Sequence, residues 1–153
     1  MRATIPSLTA TPINEVARHC CELDEGNFAV GFDSGSVHVY GSDGVIISTT
    51  ELDEKIVGLA DSEGNIIVAT STGGVRAFQA ELIWEYDIES GCEMICSHPN
   101  GVLVADSSNR LLLISAQGTL LDSVECNSPV TINCSEGGFC AVASEDGSIL
   151  ILN

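Results

Sequence analysis

The chain repeats one pattern four times at a spacing of just under 40 residues. The four segments read GNFAVGFDSGSVHVY, GNIIVATSTGGVRAF, NGVLVADSSNRLLLI and GFCAVASEDGSILIL. Aligning them places four turn residues in one column, at spacings of 38, 36 and 38 residues: Gly35, Gly73, Asn109 and Gly147. A period of this length indicates an architecture of similar units that stack on one another.

Each unit has the pattern of four short β-strands. In the second unit, apolar runs at residues 55–60, 66–70, 75–78 and 82–86 alternate with turns rich in Gly, Asp, Ser and Asn. Such runs predict strands joined by hairpins. Gly or Asn in the shared column is typical of a turn position that needs a positive φ. No segment shows the capped 3.6-residue periodicity of a helix, so we expect almost no helix.

Four antiparallel strands in a unit of this length are typical of a β-propeller blade. The chain resembles WD-repeat propellers and, more closely, pyrroloquinoline-quinone-type (PQQ-like) propeller repeats in the segments DSGSVHVY from Asp33, EDGSILI from Glu145, GSDGVII from Gly41 and LIWEY from Leu82. It lacks the Gly-His and Trp-Asp dipeptides of WD repeats and any recognisable quinone site. The resemblance implies an all-β propeller of four-stranded antiparallel blades, with four blades per chain.

The two chain ends bear on how the ring closes. The fourth unit stops at Asn153 directly after its third strand, so its outer strand is missing. Residues 3–9, ATIPSLT, loosely match the fourth strands VIISTTE, LIWEYDI and TLLDSVE. Pro6 is tolerable there because a fourth strand lies at the outer edge of its sheet. We therefore read residues 1–153 as one propeller domain with repeats at about 12–51, 52–89, 90–126 and 127–153, and residues 1–11 supplying the last outer strand.

Two ring sizes satisfy this arrangement, and completion by another protein is a third alternative. Either the segment folds back and four blades close a ring, or it pairs with a second chain and two chains close an eight-bladed ring. In the quinone-type family that the chain resembles, repeats of about this length are usually set in larger rings. The resemblance therefore favours the eight-bladed homodimer, a symmetric head-to-tail assembly. The residues that we expect to close the ring are Ile5, Leu8, Ile149 and Ile151.

The charge balance excludes several classes of partner. The chain has 22 acidic and 5 basic side chains, a formal net charge of −17, while 44% apolar residues suffice for a core. So few cations cannot neutralise phosphates, which excludes nucleic acid and disfavours anionic membranes. The N-terminus lacks the apolar core of a secretory signal, and no apolar run approaches the roughly 20 residues that span a bilayer. We expect a cytoplasmic protein.

The seven cysteines have no regular C-x-x-C spacing, which predicts small packed hydrophobes and not a disulfide framework. In our alignment Cys20, Ala60, Cys96 and Cys134 share one column of the first strand. Alanine in one member indicates that the position selects for size, so we expect no metal site. Trp84 is likewise expected to pack between neighbouring blades.

No pattern of catalytic residues is recognisable. His19, His38 and His98 lie in different strands or turns, with no nucleophile elbow near them. The interpretation is a protein that is not an enzyme and has no cofactor. The alternative is a propeller enzyme, or a cofactor- or small-ligand-binding protein, with its site at the central channel and polar first-strand residues such as His19 and Asn133.

The carboxylates concentrate in turns, and we expect both faces of the disc to be negative. One interpretation is the capture of a basic protein or peptide by electrostatic steering. The other is a generally acidic surface suited to a salt-rich cytoplasm. The predicted function is a non-enzymatic protein–protein interaction platform. Its candidate partner-binding residues lie in the connections between units and in the turns between second and third strands: Asp33, Glu51, Asp53, Glu54, Asp87, Glu89, Arg110 and Asp146.

Overall fold

The computed structural model describes residues 15–153, which form fifteen strands in four antiparallel sheets. The first sheet contains β1 (Ala17–Glu22), β2 (Phe28–Phe32), β3 (Ser36–Tyr40) and β4 (Ile46–Glu51). The second contains β5 (Ile56–Ser62), β6 (Asn65–Thr70), β7 (Gly74–Phe78) and β8 (Leu82–Asp87). The third contains β9 (Cys92–His98), β10 (Gly101–Asp106), β11 (Arg110–Ser115) and β12 (Leu120–Glu125). The fourth contains β13 (Pro129–Cys134), β14 (Cys140–Ser144) and β15 (Ile149–Leu152). Helix among these residues is limited to one 3-10 turn at Asp24–Gly26, so the all-β prediction is confirmed.

Within each sheet the strands are hydrogen-bonded in chain order. The first strands of successive sheets pack on one another: β1 on β5, β5 on β9, and β9 on β13. The sheets are therefore blades 1 to 4 of a half-size β-propeller, with the first strand of each blade innermost and the fourth outermost. The predicted four blades are confirmed, and blade 4 has three strands among the residues described. The outer strand predicted from residues 1–11, with Ile5 and Leu8, lies outside the described residues.

The apolar core consists of three layers between blades and not of one central core. Successive side chains of a strand point to opposite sides of a sheet. We call the side of a blade that faces the next blade in the chain its forward side, and the other its backward side. Val37 and Val39 on the forward side of blade 1 pack with Leu59 and Val68 on the backward side of blade 2. Equivalent layers join blade 2 to blade 3 and blade 3 to blade 4.

The turn between the second and third strands has the positive φ that its sequence predicts. Each connection between blades folds back over this turn; the Ile88 N–H, for example, donates to the Gly73 carbonyl oxygen at 2.8 Å. A Cβ atom at Gly73 would overlap the carbonyl oxygen of Ile88, so this site requires glycine for space as well as for φ. The four φ values are 96° at Gly35, 107° at Gly73, 63° at Asn109 and 82° at Gly147.

The strand register corrects one predicted column. The first-strand residues that pair with equivalent second-strand positions are Cys21, Ala60, Cys96 and Asn133. The predicted members Cys20 and Cys134 are wrong. Cys134 is displaced because the first hairpin of blade 4 is one residue longer than those of blades 2 and 3, and Cys20 precedes the matching residue of blade 1, Cys21, by one position. A shift of one residue moves a side chain to the other side of the sheet. Cys20 therefore lies on the backward side of blade 1, and Cys134 on the backward side of blade 4.

Candidate functional site

The forward side of blade 4 is open, although its residues match those that form the core elsewhere. Leu111 on β11 packs against blade 4 with 1% of its surface exposed. Ile149 occupies the same position on β15 and is 70% exposed, and Ile151, two residues later, is 64% exposed. Val130 and Phe139 add to this exposed apolar surface. Within residues 15–153, blade 4 therefore presents an exposed side of the kind that is buried between the inner blades.

The backward side of blade 1 is open in the same way. Phe28 on β2 is 45% exposed, whereas its equivalent on blade 2, Ile66, is 6% exposed. Cys20 on β1 is also exposed, whereas Leu59, its equivalent on β5, is buried. The two ends of the four-blade arc thus carry surfaces of the kind that pack against each other between the inner blades.

A cleft lies beside the outer edge of blade 4, which has three strands among residues 15–153. The cleft has a volume of about 230 Å³ and lies between blades 3 and 4. Leu113 and Val124 on blade 3 line one wall, and Cys140 and Leu152 on blade 4 line the other. All residues of β12 are exposed beside it. In blades 1 to 3 the third strand pairs with a fourth, but β15 pairs only with β14 among the residues described.

The connections between blades and the turns between second and third strands lie on one face, which we call the connector face. Backbone hydrogen bonds join them: the Ser71 N–H donates to the Lys55 carbonyl at 2.9 Å, and the Ser107 N–H donates to the Gly91 carbonyl at 3.1 Å. All eight predicted partner-binding residues lie at this end of the blades. The structure therefore brings them onto one face but distributes them over all four blades.

Two of the predicted carboxylates are ion-paired with neighbouring arginines. The Arg18 Nε–H group donates to both oxygens of Asp33, at 3.0 and 2.8 Å. The Arg76 Nη1 group lies 2.9 Å from Glu54 Oε2. Hydrogen bonds from Thr70, and then from Arg76, lower the pKa of Glu54. These pairs neutralise part of the connector face.

Two further predicted carboxylates accept hydrogen bonds from neighbouring residues. Glu51 accepts a hydrogen bond of 2.6 Å from the Ser36 hydroxyl. Asp146 accepts from the backbone N–H of Ser148 at 2.8 Å and from the side-chain amide of Asn127 at 2.7 Å. Bonds from the side chain and backbone of Ser148 lower the pKa of Asp146. Asp146 therefore holds its turn in place, whereas Glu51 joins the side chains of β3 and β4.

Arg110 pairs with a carboxylate that sequence reasoning missed. Asp106 at the end of β10 has a side chain with no accessible surface, and its Oδ2 lies 2.7 Å from Arg110 Nη2. It also accepts the Ser90 hydroxyl and the backbone N–H groups of Ser108 and Arg110. Desolvation would raise the pKa of Asp106, but these hydrogen bonds outweigh it and leave the pKa below its ordinary value. The signal was in the alignment, since Thr70 holds the same position and accepts the Gly74 N–H at 3.0 Å.

The remaining predicted residues, Asp53, Asp87 and Glu89, are exposed. No side-chain hydrogen bond or ion pair engages their carboxylates within residues 15–153. Asp53 lies in the connection from β4 to β5, Asp87 ends β8, and Glu89 follows it in the connection to β9. These three are the carboxylates of the predicted set that remain available to a basic partner.

The opposite face carries the less compensated charge. We call it the hairpin face, because it is formed by the turns between first and second and between third and fourth strands. Its carboxylates belong to Asp24, Glu25, Asp43, Asp61, Glu63, Glu81 and Glu136. The Lys and Arg residues among those described all lie towards the connector face: Arg18, Lys55, Arg76 and Arg110. Desolvation, and then the charge of Asp24, raise the pKa of Asp61. Both faces are acidic, as expected, but the arginines compensate only one of them.

The histidines do not converge on one site. His38 packs on Phe32, with 4.6 Å between ring centroids, and His98 accepts the Asn100 N–H on its Nδ1 atom at 3.0 Å. His19 lies on β1, where burial lowers its pKa, whereas Asn133 lies on β13 at the other end of the arc. Within residues 15–153 no group of three or more His, Cys, Asp or Glu side chains is placed to hold a metal ion.

The cysteines correct the sequence interpretation in one respect. Cys134 and Cys140 face each other across the pair β13–β14, with Cα atoms 4.1 Å apart, and form a disulfide. The spacing rule missed this bond because two cysteines become partners through the hairpin register and not through a C-x-x-C motif. Cys92 and Cys126 are buried free thiols, as expected of small core residues.

Trp84 has the structural role that its sequence predicts. It packs in the layer between blades 2 and 3, and its Nε1–H group donates to the Ala116 carbonyl of blade 3 at 2.8 Å. It is therefore not an exposed anchor for a partner. None of the helical segments in residues 15–153 has the length and apolar character needed to cross a membrane.

Comparison with known proteins supports the architecture. No family model matches the sequence, and no curated protein matches it. The WD40 β-propeller domain of Doa1 is similar, with 16% identity and a TM-score of 0.78 over 92% of this chain and 51% of that one. BBS1N, solved in complex with ARL6DN, has 14% identity and a TM-score of 0.78 over 98% of this chain and 53% of that one. The computationally designed Ika4 protein has 10% identity and a TM-score of 0.80, over 94% of each chain. The chain thus spans about half of the two natural propellers and nearly the whole of the designed one, and it shares their β-propeller fold.

Proposed function

We propose that this chain is a non-enzymatic interaction scaffold in which two copies associate head-to-tail into an eight-bladed ring that binds a basic protein or peptide. The observation that carries the assembly is the contrast between Leu111, 1% exposed, and Ile149, 70% exposed, at equivalent positions. An apolar side that is buried between inner blades and open at the end of the arc favours a further blade as its partner.

A second copy supplies a suitable partner, because the backward side of blade 1 already resembles the surface that blade 4 lacks. Phe28 and Cys20 stand where Ile66 and Leu59 pack between blades 1 and 2. A head-to-tail contact that closes after two copies forms a symmetric ring. The similarity of four blades to about half of Doa1 and BBS1N agrees with the curvature of a ring wider than four blades.

In this proposal residues 3–9 of the second copy add to the free edge of β15. An extended segment adding to an open sheet edge is a common mode of peptide recognition. The alignment of residues 3–9 with the fourth strands places Leu8 at the level of Thr50 and Val124, which pair with Val37 and Leu111. The matching partner of Leu8 on β15 is therefore Ile149.

The mass in solution tests the assembly. We expect the wild-type protein to have twice the 16.0 kDa mass of the chain by sedimentation equilibrium. The double substitution Ile149→Asp and Ile151→Asp should halve that mass and leave the strand content of the circular dichroism spectrum unchanged. Ile83→Asp is the control, because Ile83 is an isoleucine on β8 of an inner blade and is itself 50% exposed. A wild-type mass of one chain contradicts the eight-bladed dimer.

Charge reversal tests the basic partner and the face that it uses. The hairpin face supports the proposal more strongly, since its turns in blades 1, 2 and 4 have carboxylates and it has no described Lys or Arg. We expect Glu25→Lys with Glu63→Lys to weaken the binding of an oligolysine peptide more than Asp87→Lys with Glu89→Lys on the connector face. Equal effects of the two pairs, or none, would indicate a generally acidic surface without a docking role.

A further inference from the structure

Three cysteine sulfurs from three strands meet at the boundary between blades 3 and 4. Cys134 on β13 and Cys140 on β14 form the disulfide within blade 4. The Cys96 sulfur on β9 lies 3.2 Å from the Cys134 sulfur. Because a disulfide sulfur carries no hydrogen, the Cys96 thiol is the donor in this contact. The free thiol thus points at one sulfur of the existing bond.

We propose that these cysteines form a thiol–disulfide exchange site in which Cys134 bonds alternately to Cys140 within blade 4 and to Cys96 across the two blades. The Cys96 thiolate attacks the Cys134 sulfur, the Cys96–Cys134 bond forms, and the Cys134–Cys140 bond breaks. Cys140 leaves as a thiolate and takes up the proton that Cys96 lost. The step has the form of every thiol–disulfide exchange and needs no external oxidant, because the number of disulfides stays the same.

The positions of the three residues follow from the register of the blades. Cys96 lies on the forward side of blade 3, and Cys134 and Cys140 lie on the backward side of blade 4, so all three point into one layer. Cys140 is buried in that layer, and Cys96 is partly buried. Burial raises the pKa of Cys96 to about 11. Since only the thiolate attacks, exchange should be slow at neutral pH.

The two bonds constrain the chain differently. Cys134 and Cys140 are 6 residues apart in sequence, whereas Cys96 and Cys134 are 38 residues apart. In the chain-entropy description, a bond that closes the longer loop restricts the unfolded chain more. The bond between blades also attaches blade 4, the end of the arc, covalently to blade 3. The site therefore sets how firmly the terminal blade is held, whichever ring forms.

Disulfide mapping of the full chain tests the exchange. The protein carrying the Cys134–Cys140 bond is incubated at pH 8.5 without oxidant, trapped by alkylation and digested for mass spectrometry. We expect a Cys96–Cys134 peptide to appear together with an equal amount of alkylated Cys140. The proposal would be overturned if only the Cys134–Cys140 peptide were found at all times. A bond from Cys134 to a cysteine other than Cys96 or Cys140 would also overturn it.

Two variants isolate the alternative bonds. Cys140→Ser, oxidised with oxidised glutathione, should form Cys96–Cys134, with two electrons passing to the glutathione disulfide. Cys96→Ser should keep Cys134–Cys140. Cys126→Ser is the matched control, because it removes a free cysteine of the same layer and should leave both bonds available.

Thermal unfolding supplies a second measurement that does not depend on peptide recovery. On oxidation, the melting temperature of Cys140→Ser should rise by roughly 3–6 °C more than that of Cys96→Ser, because its bond closes the longer loop. Cys134 recovered as a free thiol in oxidised Cys140→Ser, with no rise in melting temperature, contradicts the proposed second partner.

Discussion

Blades 3 and 4 have nearly the same apolar pattern, but the apolar side chains of their third strands differ in burial. In blade 3 the third strand reads RLLLIS, and Leu111, Leu112 and Ile114 are buried. In blade 4 it reads ILIL, and Ile149 and Ile151 are among the most exposed apolar side chains described. The two strands differ little in composition, so the difference comes from their neighbours. Burial in this fold is decided by whether another blade follows.

The largest expected difference between blades 3 and 4 comes from placing a charge at the same position in both. We expect Leu111→Asp to prevent folding, because an unpaired carboxylate in a dry layer costs more than about 4 kcal/mol out of a total stability of about 5–15 kcal/mol. Ile149→Asp should leave each chain folded and only weaken its association. Circular dichroism and sedimentation on the two variants measure both effects. Equal loss of folding in both would contradict the view that the forward side of blade 4 is free in the single chain.

A second test alters the proposed outer strand and leaves blade 4, which would receive it, unchanged. We expect Leu8→Asp, and to a smaller extent Ile5→Asp, to halve the mass in solution and to speed hydrogen exchange of the β15 amides. Thr4→Ser, a polar change in the same segment, serves as the control. A mass of two chains with unprotected β15 amides would support head-to-tail packing without strand exchange. Protected amides at the mass of one chain would support the four-bladed ring.

A smaller effect separates the turn carboxylates of the two blades. Asp106→Ala in blade 3 leaves a partly buried hydroxyl and two backbone N–H groups without their acceptor, and should cost about 3 kcal/mol of unfolding free energy. Asp106→Thr should retain more stability, since Thr70 at the equivalent position of blade 2 also accepts a backbone N–H of its turn. Asp146→Ala in blade 4 removes bonds at an exposed turn and should change urea unfolding little. An equal loss from Asp146→Ala would show that the open blade is as tightly organised as the inner one.

The pKa of Asp106 gives this prediction a pH dependence. The folded-state pKa is below the ordinary value, so the folded protein binds fewer protons here than the unfolded chain. The stabilisation is complete above the unfolded pKa of about 4 and is lost as the pH falls through the folded value. The stability difference between the wild-type protein and Asp106→Thr should therefore shrink below about pH 4. A difference that stays constant to pH 2 would contradict the role of the ionised carboxylate.

The smallest expected effect concerns the hairpin face. Desolvation and the charge of Asp24 raise the pKa of Asp61, so ionisation of this carboxylate costs stability at neutral pH. We expect Asp61→Asn to raise the melting temperature by roughly 1–3 °C at pH 7. The gain should vanish as the pH falls through the raised pKa to the unfolded value, where wild-type Asp61 is protonated in both states. A loss of stability at pH 7 would mean that Asp61 holds a favourable contact.

Much of the fold was predictable because its signals are local. Alternating apolar residues between turn residues predicted the strands, and the shared Gly and Asn column predicted the positive φ values. The site was less predictable. Asp33, Glu54 and Arg110 were expected to meet a partner, but each pairs with a side chain distant in sequence or within its own turn. Cys134 was assigned to the wrong side of its blade because the first hairpin of blade 4 is one residue longer.

The number of blades and the strands within them could be predicted from the amino-acid sequence, because both depend on spacings within about 40 residues. The tertiary structure decided which charges are neutralised, which sulfurs meet and which apolar sides stay open. Those properties arise between blades, where residues 30 or more positions apart come into contact, and a difference of one residue in a hairpin reverses the side that a residue faces. The repeat therefore specifies similar blades, and their order in the arc decides which apolar sides are exposed.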